Sequence, residues 1–323
     1  IRAPMTGEGY KPLTDESVAA ITSSYFAQRA ARSSAQDQPR VVLVGGEPGA
    51  GKSAGGELVR DELKAQGGFV HVDADRMRER IPLGTARLPS SETQADAGRL
   101  ANALRLMAIE ARRNIVEEGT FRNPQSVQRF VDRLQEQGYK VEMVVVATSR
   151  EESLLGIYQR HERQHQVGNP NPRFVTEDYH DAAMQGFSAT VSQLAHQLDR
   201  LRIINRGGQL LYDSQRQPRD DATMALQAAR EIPAERRTML ADGWAAVAAA
   251  ARERGANPQY LDAIGGHARR VAASAQLQGD RGARITPYTR GKEQALSRGA
   301  SPAGPFTSLA ATPQASKPPA RSR

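Results

Sequence analysis

The sequence has no cysteine, a single tryptophan, and aromatic residues at only 5% of its 323 positions. Without cysteine there can be no disulfide, no thiolate nucleophile and no cysteine–zinc site, which suits a reducing compartment. No apolar run approaches the ~18 residues of a membrane span, and the first forty residues lack the apolar core of a signal peptide. The expected location is the cytoplasm, without membrane contact. Apolar residues make up 39% of the chain, with 28 Gly and 18 Pro. A folded core with disordered appendages is expected.

The net charge is +8, but it is unevenly placed. Residues 281–323 hold eight Lys/Arg against one acid, Glu293, which is +7 of that total. The core is therefore nearly neutral. A basic tail of this kind reads as a solvated extension, not as a specific nucleic-acid reader.

Apolar, β-branched runs at 40–44, 69–73, 114–118, 141–147 and 201–205 alternate with helical patterns, and a short further strand is expected at 210–212. The helices are expected over 15–32, 52–66, 94–113, 124–137, 151–164 and 176–198, with Thr14 or Asp15 as the first cap. Strands alternating with helices of this length predict an α/β fold with a mostly parallel sheet and helices on both faces. Ligands of such sheets bind at the edge formed by the strand C-termini. Ala-rich segments at 234–254 and 259–276 predict a helical C-terminal extension, and 281–323 a disordered tail. The expected organisation is an N-terminal helical extension (1–35), a nucleotide-binding core (36–232), the helical extension (233–280) and the tail (281–323).

After the first strand comes Gly46-Glu47-Pro48-Gly49-Ala50-Gly51-Lys52-Ser53, which opens a helix. Glycines let backbone N–H groups converge on a phosphate without a Cβ in the way, and the helix N-terminus adds positive potential. Lys52 is expected to bridge the β- and γ-phosphates of ATP, and Ser53 to ligate Mg²⁺. There is no hydrophobic run ending in Asp-Glu and no Asn-Lys-x-Asp guanine reader, so a small-molecule kinase is favoured over motors and GTPases. Asp73 closes the second predicted strand and is the candidate base for an acceptor hydroxyl, while Asp75 has the alternative reading of a helix cap. Glu118 and Thr120 close the third strand. Arg160 and Arg173 flank a Gly168-Asn169-Pro170-Asn171-Pro172 loop with the composition of a lid.

These elements resemble the zeta-toxin family, the kinase half of epsilon/zeta toxin–antitoxin systems, over residues 36–232. The match rests on GGEPGAGKS, FVHVDAD, AGRLANAL, NIVEEGTFRNP, QGYKVEMVVVATS, the Arg160/Arg173 pair and RGGQLLYDS. The resemblance implies ATP·Mg²⁺ at Lys52 and Ser53, Asp73 as base, sugar-nucleotide contacts at Glu118 and Thr120 with Arg122 nearby, and phosphate stabilisation by Arg160 and Arg173. It further implies a UDP-sugar substrate, with 3′-phosphorylation of UDP-N-acetylglucosamine that starves cell-wall synthesis, and a small helical antitoxin as partner. Asn102 stands where well-known members carry a sugar-site glutamate. It keeps hydrogen bonding but loses charge, so another UDP-sugar, NAD or a nucleic-acid end is an alternative acceptor. A non-catalytic nucleotide-binding module is the alternative of another class.

Overall fold

A computed structural model describes residues 10–82, 92–169, 172–232 and 234–273. The expected tail at 281–323 and two residues of the Pro/Asn loop, Pro170 and Asn171, lie outside these. Six strands form one sheet: β1 (Arg40–Gly45), β2 (Val70–Val72), β3 (Ile115–Gly119), β4 (Lys140–Ala147), β5 (Arg200–Asn205) and β6 (Leu210–Asp213). Their spatial order is β2-β3-β1-β4-β5-β6. All neighbours are parallel except β5 and β6, which close the edge antiparallel. The expected mostly parallel sheet is therefore present, and the C-terminal ends of β1 to β5 share one edge.

Side chains alternate between two buried faces, as a pleated strand requires. Val41 and Leu43 of β1 and Met143 and Val145 of β4 face one core. Val42, Val44, Val144 and Val146 face the other. Each fully buried Val or Leu stabilises the fold by roughly 1.5–3 kcal/mol. The first face is covered by α1 (Asp15–Ala30), α4 (Gln94–Glu110), α5 (Pro124–Glu136), α7 (Glu177–Leu194) and α8 (Ala222–Ala229). Val18 and Tyr25 place α1 inside this core rather than beside it. The second face is covered by α2 (Ser53–Ala65).

Caps explain several helix starts. Thr14 accepts from the Ser17 N–H, Asn123 from Ser126 and Thr176 from Tyr179, and Ser149 forms a reciprocal capping box with Glu152 at the start of α6 (Arg150–Gln166). The short helix after the second strand, for which Asp75 is a candidate cap in the sequence, is α3 (Ala74–Arg78), while the short α8 is not expected from sequence. The Ala-rich extension forms α9 (Ala234–Glu253) and α10, residues 258–273. These pack on α6 in a separate apolar cluster that includes Leu154, Tyr158, Leu240 and Trp244. No helix among the described residues is long and apolar enough to cross a membrane.

Candidate active site

The glycine-rich loop turns between β1 and α2, as its sequence requires. Gly49 and Gly51 adopt left-handed φ of +83° and +90°, a conformation costly for any residue with a Cβ. A Cβ on Gly49 would also lie 2.0 Å from the Ser153 carbonyl oxygen at the start of α6. The loop is braced from outside. Arg206 Nη1 donates to the Gly49 carbonyl at 2.7 Å and to that of Glu152 at 3.2 Å. Thr148 Oγ1 donates to the Ala50 carbonyl at 3.0 Å. Lys52 caps α2 and points its ammonium back at the carbonyls of Gly46 and Glu47, 3.2 and 3.3 Å away. Burial lowers the Lys52 pKa, while the carboxylates of Glu118, Glu47 and Asp75 oppose that shift. Glu47 is fully buried beneath the loop and pairs with Arg230 at 3.4 Å; burial raises its pKa.

A cleft of about 570 Å³ opens beside the loop. Lys52, Asp73, Asp75, Glu118, Thr120, Arg160 and Arg173 all line it, so residues scattered over 120 positions converge on one space. The parallel topology brings them there, because Asp73 and the loop each follow a strand, and Glu118 lies near the end of one, at the same edge. Asp73 caps α3, accepting from the Asp75 N–H at 2.9 Å. The cap is thus Asp73, not Asp75. Asp75 instead accepts from Arg173 at 2.6 Å and from Arg78. Burial raises the Asp73 pKa; the Asp75 N–H opposes this and the nearby Asp75 and Glu118 carboxylates add to it. Burial also raises that of Glu118, but His71, hydrogen-bonded at 2.9 Å, with Lys52 and Arg76, brings the net below the usual range.

The two arginines differ. Arg173 is ion-paired to Asp75. Arg160 makes no hydrogen bond or ion pair among the described residues, and its Nε is buried without a partner. Burial lowers its pKa, and Arg173 adds to that. Thr120 and Arg122 sit on a turn whose central residue, Phe121, has φ +42°, held by Thr190 Oγ1 donating to the Phe121 carbonyl at 2.7 Å. A bulky residue in that region stores strain that the surroundings must sustain. Arg122 lies at the rim, stacked 4.6 Å over the Tyr179 ring, which itself lines the cleft. Asn102 does not join the site. It is exposed on α4 and accepts from Arg105 at 2.9 Å.

Several supports had no sequence signal as such. Arg206 follows β5 at the same edge and is visible only as an arginine before a Gly-Gly turn. Ser153, His180 and Asp181 are linked at 2.7 and 2.9 Å with the connectivity of a Ser–His–Asp relay. Ser153 and His180 are wholly buried, so neither meets a substrate; they fix α6 to α7 directly behind the loop.

Comparison with known proteins agrees with this geometry. Residues 24–217 match the family model "Zeta toxin". The chain is 25% identical over 203 residues to toxin PezT of Streptococcus pneumoniae serotype 4, covering 60% of this chain and 78% of that protein. It is 26% identical over 192 residues to toxin zeta of Enterococcus hirae, covering 57% of this chain and 66% of that toxin. The chain therefore spans just under two thirds of that zeta toxin. A solved structure from the PezAT chromosomal toxin–antitoxin system of S. pneumoniae superposes with a TM-score of 0.66 at 23% identity, over 74% of this chain and 98% of that one, and shares the fold. With its phosphate loop, its parallel sheet and a family match over more than half its length, the chain belongs to the zeta-toxin family of nucleotide-binding phosphotransferases.

Proposed function

We propose that this chain transfers the γ-phosphoryl group of ATP to a hydroxyl of a sugar nucleotide, with the 3′-hydroxyl of UDP-N-acetylglucosamine as the first candidate. The observation that carries this reading is one cleft holding Lys52, the raised-pKa carboxyl of Asp73 and two arginines. Asp73 accepts the acceptor's hydroxyl proton as its oxygen bonds to the γ-phosphorus. The bond from that phosphorus to the ADP oxygen breaks, and Lys52, Arg160 and Arg173 meet the charge that spreads over the transferring oxygens. Glu118, Thr120 and Arg122 orient the sugar end. Gly46 to Ser53 cradle the β- and γ-phosphates.

Mg²⁺ fits the residues present. The Ser53 hydroxyl opens α2, and carboxylate oxygens of Asp73 and Glu118 lie within 4.8 Å of one another and of His71. Hard oxygen donors suit this ion, which when bound neutralises phosphate charge. The relationship to PezT and to the PezAT structure supports a small antitoxin as partner, and the substrates support action in the cytoplasm.

A specific observation keeps other acceptors open: Asn102 brings no charge to the cleft. The test is incubation with ATP·Mg²⁺ and a panel of UDP-sugars, NAD and a polynucleotide, followed by mass spectrometry for a product heavier by one phosphoryl group. UDP-N-acetylglucosamine is the expected substrate. Folded protein that binds ATP but modifies none of the panel would be a nucleotide-binding module instead.

A further inference from the structure

A second cavity, of about 360 Å³, lies on the α2 side of the sheet over β2 and β3. This is the part of that face which α2 leaves uncovered. The rim carries Arg29 and Arg32 from the end of α1, Arg60 and Lys64 from α2, and Arg76 from α3. Glu118 is the one acid on its wall, and it is already hydrogen-bonded by His71. Ser53 and Glu118 bring the cavity against the catalytic edge.

The pairing of these cations is unusual. Arg29, Arg32 and Arg60 meet no carboxylate among the described residues. Arg29 lies 5.0 Å over the Tyr25 ring instead. Glu62, on the same helix as Arg60, turns the other way to Arg40 and Arg202 at 3.3 and 2.8 Å. Arg76 is 3.7 Å from Asp73, and Lys64 is 3.6 Å from the exposed Asp61. An ordinary solvated charged face interleaves both signs. Here like charges are gathered round a concavity, a field that favours an anion between them. Guanidinium forks match phosphate oxygens two at a time, and the volume is that of a small-molecule site.

We infer that this cavity is a second phosphate-binding site, distinct from the glycine-rich loop, which takes a small diphosphate-bearing ligand between Arg29, Arg32 and Arg60. Occupation draws Arg76 toward the anion and away from Asp73, so the site communicates with the base. The chemistry admits two sources: the diphosphate of the acceptor itself, or a separate phosphorylated metabolite. The site stands whichever acceptor is phosphorylated.

The probe is inorganic pyrophosphate, titrated calorimetrically into the full chain carrying Lys52→Ala, which removes the main phosphate contact of the loop. Binding is expected, and it should weaken at least about tenfold when Arg32→Ala and Arg60→Ala are added. Arg32→Lys with Arg60→Lys should retain part of it. Both side chains are exposed, and a thermal melt confirms that folding is kept. Steady-state kinetics on the otherwise native chain separate the sources. A raised KM for the acceptor with KM for ATP unchanged assigns the site to the acceptor's diphosphate. Both KM values unchanged, with pyrophosphate binding still lost, assigns it to a separate ligand. No pyrophosphate binding to the Lys52→Ala chain, or equal binding with and without the two arginines, overturns the site. A labelled ATP analogue bound by the native chain reports the loop independently, so failure of the kinase reading is told apart.

Discussion

Arg173 Nη2 donates to Asp75 Oδ2 at 2.6 Å, joining residues 98 positions apart across the mouth of the cleft. The arginine expected to grip a transferring phosphate is therefore already held by a carboxylate. Arg78 occupies the other oxygen of the same group. Arg173→Ala should lower kcat/KM by about 10²–10³. Asp75→Asn should cost less alone and add little in the Arg173→Ala background. A double-mutant cycle on kcat/KM measures this, and strictly additive losses would show that the two residues act separately.

Asp73 is the proposed base. Asp73→Asn should lower kcat by about 10²–10⁴ while ATP affinity holds. The direction of its pKa also sets a pH dependence. The carboxyl must be ionised to accept a proton, and burial raises its pKa. Activity should therefore fall on acidification at a pH above the ordinary aspartate value of ~3.9. That acid limb should be missing from the residual activity of Asp73→Asn. An unchanged limb in the variant would point to another base.

Arg160 lines the cleft with its Nε buried and without a partner, and desolvation lowers its pKa. Replacing a buried uncompensated charge with an apolar chain of similar length is often neutral or stabilising. Arg160→Met should hold or raise the Tm while lowering kcat by about 10²–10³. A large drop in Tm would mean that the residue is structural.

Gly49 has no room for a side chain. Gly49→Ala should weaken binding of a fluorescent ATP analogue at least tenfold, about 1.4 kcal/mol. The reason is the contact with Ser153 at 2.0 Å together with φ of +83°. Near-native affinity would mean that the loop tolerates displacement from α6.

The parts legible in the sequence were those with local causes. Val41 to Val44 reads as a buried strand, Pro124 and Gly138 bracket α5, and Gly46 to Ser53 reads as a phosphate loop because its glycines answer a backbone demand. Strand order then puts Asp73 and Glu118 beside that loop. What stayed hidden depends on tertiary contact. Arg206 grips the Gly49 carbonyl from β5, and nothing in its neighbourhood announces a partner 157 positions away. Asp73 and Asp75 are equally plausible caps by composition, and it is Arg173 and Arg78 that draw Asp75 elsewhere. Asn102 shares its helix with core residues such as Leu100 and Leu104, yet it sits on the opposite, exposed side of that helix.

The helices beyond the family match change the mechanics of the cleft. Trp244 of α9 packs 5.2 Å from Tyr158 and stacks at 4.5 Å on His267 of α10, while Arg254 pairs with Glu162 at 2.7 Å. Arg160 lies on α6 between those two anchor points. That helix is thus anchored on a core of its own, on the side away from the sheet. The Arg173 N–H donates to Gln164 of the same helix and Phe174 packs edge-on to Tyr158 at 5.1 Å, so the spacing of the two arginines is set by a helix that the extension holds in place.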